Sequence, residues 1–290
     1  MTKKPAIVTT RSHGALLLAM LITAGGCGGE PADQGKPQVF VSIAPLAYFT
    51  ERIAGRHVTV NVLIAPGGNP HTYTPTPKQV VRLSQAGLLL FAGSDFAQIV
   101  SSRLARGNTQ LRVVNLAEGL DAHGHHEDGA DSHVWMSPRI ARTLAEGICR
   151  ELCTLDPLHA DEYRKNLRKL QDDLDALDAR LTKTLAPLKG RTFFVFHPAL
   201  GHFAKAYGLK QEAVETEGKS PGPRHRNELI ARAKTAGVKV IFVQPQFSRQ
   251  AADVIAEEIG GEVAILDPLS RDYINNLEHI AEELQKALQP

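Results

Sequence analysis

This sequence predicts an α/β protein of two lobes, each a parallel sheet with helices, joined by one long backbone helix. Three observations carry that expectation. Short β-rich runs alternate with helical patterns in two separate blocks. A polar stretch from His159 to Leu188 lies between the blocks, with leucines recurring every three or four residues. Several of the β-rich runs end in loops that carry a histidine or an aspartate beside a proline.

In the first block the strand candidates are QVFVSIA, HVTVNVLI, LLLFAG and RVVNLAE. Helical patterns such as LAYFTERIAG and TPKQVVRLSQAG separate them, the latter opened by Pro77 and closed by Gly87. Ser137 and Pro138 form a cap and first-turn pair for the helix RIARTLAEGICRELC, which stops before Pro157. Leu167, Leu170, Leu174, Leu177 and Leu181 then mark a single apolar stripe, suited to a spine between lobes. The seam is short for a dimeric coiled coil, and a monomer is expected. The second block repeats the first: RTFFVFHPA, LKQEAVE, VKVIFVQP and EVAILDP are its strands, with helices between them and one at the end. The expected organisation is an N-terminal lobe over 38–157, a linker helix over 158–188 and a C-terminal lobe over 189–290.

Residues 1–27 read as an export signal. Lys3, Lys4 and Arg11 precede the apolar run ALLLAMLITA, which is too short to span a bilayer and ends in Gly25-Gly26-Cys27. A cysteine directly after small residues resembles a bacterial lipobox, with Ala24 where that pattern usually has Leu. Lipidation at Cys27 and a flexible tether over 28–37 follow, and with them a periplasmic or membrane-anchored protein. The remaining cysteines, Cys149 and Cys153, share a helix face at a spacing poor for a disulfide, and are expected as buried thiols.

Thirty-three Lys and Arg against 31 Asp and Glu leave no basic surface, so nucleic acid is not an expected partner. Gly218-Lys219-Ser220 does not end a phosphate loop, because Ala213 stands where its first glycine belongs.

In parallel sheets, ligands bind just beyond the carboxyl ends of the strands. Four residues stand there: His71 after NVLI, His133 in the loop after RVVNLAE, His197 at the end of RTFFVF and Asp267 at the end of EVAIL. Pro70, Pro198 and Pro268 each adjoin one of them and stiffen its loop. Three imidazoles and a carboxylate make a tetrahedral Zn²⁺ site, whereas Mn²⁺ prefers more oxygen donors. His123, His125 and His126 lie in a stretch rich in Gly, Asp and Glu that has no apolar anchor, so it is expected to be mobile. Either it captures zinc weakly and passes it inward, or it is a solvated loop without a role.

The chain resembles the cluster A-I substrate-binding proteins of metal-uptake ABC transporters, from VSIAPLAYF to the C-terminus. GGNPHTYTPTPKQV, DSHVWMSPR, FFVFHPALGHFAKAYGL, EGKSPGPRHRNELIARAK, VIFVQPQFS and AILDPLS carry the likeness. The resemblance places His71, His133, His197 and Asp267 on the family's four metal-ligand positions. His197, where manganese members usually have a carboxylate, implies the zinc branch. It also implies zinc and an ABC permease with its ATPase as partners, and admits adhesion as a further property. Two departures stand out: Gln244 replaces a common Glu, and His202 a common Tyr. Both are expected beside the ligands rather than on the ion.

Rival readings are a manganese or iron binder of the same family, a periplasmic zinc chaperone, a metal-independent adhesin and a zinc hydrolase. Against the hydrolase, neither HExxH nor an H-x-E…C-x-x-C pattern occurs, and Asp267 fills the position that a catalytic zinc keeps open. If the His-rich stretch hands zinc inward, deleting Ala122–Ala130 slows loading against a competing chelator and leaves the tight site intact. Unchanged loading kinetics would show the stretch to be inert.

Overall fold

The computed structural model describes residues 1–2, 35–93, 96, 110–120, 131–215 and 222–289. Cys27, His123, His125 and His126 lie outside the described residues, with nearly all of the signal segment and most of the tether.

Among the described residues the chain runs β1 (Gln38–Val41), α1 (Ala44–Ala54), β2 (Thr59–Val62), α2 (Pro77–Leu83), β3 (Leu88–Phe91) and β4 (Arg112–Asn115). The helices α3 (Pro138–Leu155) and α4 (Ala160–Leu185) follow. The second half holds β5 (Thr192–Val195), α5 (Gly201–Tyr207), β6 (Lys210–Ala213), α6 (Pro223–Thr235), β7 (Val240–Val243), α7 (Arg249–Ile259), β8 (Glu262–Ile265) and α8 (Tyr273–Leu288).

Both sheets are parallel and have the same order, β2-β1-β3-β4 and β6-β5-β7-β8. Each therefore reverses its winding direction once, between β1 and β3 and between β5 and β7, where the strand ends leave a crevice. The central strands are mostly apolar, as strands covered on both faces must be: β3 reads LLLF and is fully buried. Proline starts several helices, at Pro45, Pro77, Pro138 and Pro223, where a missing N–H costs nothing. Thr76 and Gln79 add a reciprocal capping box to α2.

The spine α4 has 26 residues, which gives a length of about 39 Å. Leu170, Leu174, Leu177 and Leu181 are buried along its stripe, and Leu167 is partly buried. The stripe is covered within the chain by α1, α3 and α8, not by a second copy. One continuous core runs from Val39 and Phe49 through these leucines to Phe193, Phe203 and Leu277. A smaller cluster, around Phe194, Leu229 and Ile255, sits on the other face of the second sheet. The last helix also reaches the first half, with Tyr273 packed edge-on against Phe49 at a centroid separation of 4.7 Å.

The joint between halves is thus a packed interior. Leu174→Ala should lower the unfolding free energy by about 2–5 kcal/mol, since the cavity would lie between helices that cannot collapse onto it. Denaturant titration measures this; a loss under about 1 kcal/mol would mean that the spine is loosely held.

Candidate metal centre

Three of the residues expected at strand ends meet. His71 follows β2 in the Gly/Pro-rich loop, where its backbone N–H donates to Asn69 Oδ1 at 2.9 Å. His133 sits at the entry to a single 3-10 turn (Val134–Met136) ahead of α3. His197 ends the run that begins with β5. The Nε2 atoms of His71 and His197 are 3.1 Å apart, and those of His197 and His133 are 3.2 Å apart. Among the described residues these three imidazoles form a group with one ligand atom each, all within 4.8 Å of one another. Ligands at 2.0–2.1 Å from a tetrahedral ion stand about 3.3 Å apart, close to the separations of the His71–His197 and His197–His133 pairs.

Two of the rings are oriented by buried carboxylates. His133 donates from Nδ1 to Asp131 Oδ1 at 2.8 Å, and its backbone N–H donates to the same oxygen at 3.0 Å. His197 donates from Nδ1 to Glu215 Oε1. Each bond places the ring proton on Nδ1 and leaves the Nε2 lone pair facing the common point. Burial alone would raise the Asp131 carboxyl, but the hydrogen bonds it accepts from His133 help to hold it at about 2. Burial pulls His197 below the usual imidazole value, against the opposing pull of Glu215, and so favours the neutral ring that a metal needs.

Further contacts stiffen the site. Gln244, at the end of β7, spans His197: the His197 N–H donates to its Oε1 at 3.1 Å, and its Nε2 donates to the His197 carbonyl at 2.7 Å. These two residues flank the crevice between β5 and β7, so the neutral amide at 244 grips the backbone of a candidate ligand. A carboxylate could accept there but could not donate. Phe247 stacks on the His197 ring at 4.8 Å, with the planes 23° apart. His202, on α5, donates from Nε2 to the Asp131 carbonyl at 2.9 Å, and so connects the second half to the loop that carries His133.

Asp267 is not among the converging groups. Its Oδ1 accepts from the Leu269 N–H at 2.9 Å and from Gln246 Nε2 at 3.1 Å. Its loop nevertheless borders the cluster, because Pro268 and Leu269 line the same small cavity as His71, His133 and His197. Trp135 ties that loop to the His133 side by donating from Nε1 to the Pro268 carbonyl at 2.8 Å, and Tyr273 donates to the Trp135 carbonyl at 2.6 Å.

Sequence reasoning passed over Glu215, Asp131 and Trp135. Asp131, two residues before His133, was in plain view. Glu215 had only its place just after a strand, beside apolar neighbours, as a signal.

The family model described as zinc-uptake complex component A, periplasmic (ZnuA), matches residues 39–287. The chain belongs to this family. The high-affinity zinc uptake system protein ZnuA of Bacillus subtilis is 29% identical over 274 residues, covering 88% of this chain and 85% of that protein. A crystal structure of ZnuA superposes with a TM-score of 0.84 at 36% identity, over 88% of this chain and all of that one. The periplasmic zinc-binding protein TroA from Treponema pallidum shares the fold, with a TM-score of 0.81 at 22% identity and the same coverage.

If Glu215 orients His197, Glu215→Gln weakens metal binding by about 10–100-fold. Competition against a chromogenic chelator reads this, with circular dichroism checking the fold. An unchanged affinity would remove Glu215 from the site.

Proposed function

We propose that this protein is the extracytoplasmic binding component of a zinc-uptake ABC transporter, capturing Zn(II) and delivering it to a membrane permease and its ATPase. The observation that carries the reading is the convergence of three imidazole Nε2 atoms, with two of the rings oriented by buried carboxylates. Three neutral nitrogen donors favour zinc over manganese, which prefers oxygen. The family is one of binding components rather than of enzymes.

His71, His133 and His197 are the first three ligands. Asp267 is the fourth, swinging from Gln246 and the Leu269 N–H toward the ion on its arrival. Because His71 and His133 come from the first half and His197 and Asp267 from the second, the ion clamps the two. The shared core and the Trp135–Pro268 bond restrict this to a small tilt. Release at the permease is the reverse tilt. Export through the 1–27 signal, lipidation at Cys27 and weak capture by His123, His125 and His126 complete the proposal.

Protein purified without chelator should carry a single zinc, lost in His197→Ala and weakened in Asp267→Ala. Affinity should fall as pH drops through about 6.5 and below, because protons then compete for the same lone pairs. Elemental analysis and chelator competition across pH measure both. A stoichiometric manganese or iron content, or no metal at all, would overturn the assignment.

A further inference from the structure

Cys149 and Cys153 occupy successive turns of α3, on the side facing α4, where the Cys153 thiol donates to the Ala160 carbonyl at 3.7 Å. Their sulfurs lie 4.0 Å apart, and both thiols are free. A disulfide would need them at about 2.05 Å, a closure that successive helical turns resist. Cys149 is nearly covered and Cys153 half-buried, and both line an open groove between the two helices together with Arg150, Arg164 and Leu167.

We propose that this pair is a second metal site, for a soft, thiophilic cation such as Cu(I). On the scale of the roughly 2.3 Å thiolate bond of Zn²⁺, two sulfurs stand about 3.8 Å apart at the tetrahedral angle and about 4.6 Å apart in a straight line. A separation of 4.0 Å lies between these limits, so both sulfurs reach one ion without unwinding the helix. The bent geometry leaves a further coordination position toward the groove. Binding forms two metal–sulfur bonds and releases the two thiol protons to solvent, with no change of oxidation state. The resulting bis-thiolate complex carries one negative charge, which Arg164 and Arg168 favour at Cys149, although Arg164 also pairs with Asp161 and the Glu146 carboxylate lines the same groove. Burial pushes the Cys149 thiol up to about 12, so its proton must be displaced at neutral pH. Only a strongly thiophilic ion does that, and a hard divalent cation is excluded. The cargo site is nitrogen-based and this one sulfur-based, so the two ions need not compete.

The test uses the full chain with Cys27→Ser, loaded with zinc and titrated anaerobically with Cu(I) against a chromogenic Cu(I) chelator. The expected result is an additional equivalent of Cu(I), with ultraviolet thiolate-to-metal absorption and no zinc released. Cys153→Ser, at the half-buried position, and Cys149→Ala, which keeps a small apolar side chain, should each abolish that equivalent and leave the zinc content unchanged. Cu(I) uptake that persists in both variants, or a parent protein that cannot compete with the chelator, would overturn the proposal.

Discussion

Three imidazoles, with Nε2 atoms 3.1 Å apart in the His71–His197 pair and 3.2 Å apart in the His197–His133 pair, are the constraint around which the structure is organised. Neutral nitrogen donors at that spacing repel one another, and a divalent cation turns the repulsion into bonding. The cost is met by fixing the rings before the ion arrives. Asp131 and Glu215 each accept an Nδ1 proton, and Gln244 grips the His197 backbone on both sides. A ring fixed in this way loses little further freedom on binding, which is how preorganisation becomes affinity.

The carboxylates also shape the electrostatics. Their side chains, 6% and 3% exposed, sit beside the rings and add negative potential without occupying the position of the ion. Asp131 stays ionised because His133 stabilises its charge against the penalty of burial. His197 stays neutral because burial penalises its charged form. One low-dielectric setting thus keeps an acid charged and a base uncharged, and a divalent cation requires both.

The architecture brings distant segments to this point by a repeated device. Each sheet winds outward from its first strand in both directions, so its crevice and its functional loops lie at the carboxyl ends. The spine and the last helix then bind the two halves through one core. Trp135 and Tyr273 hydrogen-bond across that joint, and His202 links α5 to the loop that carries His133. A shift at the site is therefore felt in the packing of the spine.

Much of this was legible in the order of amino acids. Short β-rich runs marked all eight described strands, and leucines at spacings of three and four marked the spine, because burial on a strand or helix face shows in the order of residues. His71, His133 and His197 stood out because strand ends are where such folds bind ligands, and prolines flank two of them. The pairing of His197 with Glu215 was not legible, since neither spacing nor local pattern says that the ends of neighbouring parallel strands meet. The position of the Asp267 carboxylate, held by Gln246 and the Leu269 N–H, was equally a matter of loop packing. Local sequence determined which segments are strands, helices and candidate ligands. Only the tertiary structure decided which side chains share a hydrogen bond, because those partners lie far apart along the chain and meet through the packing of whole elements.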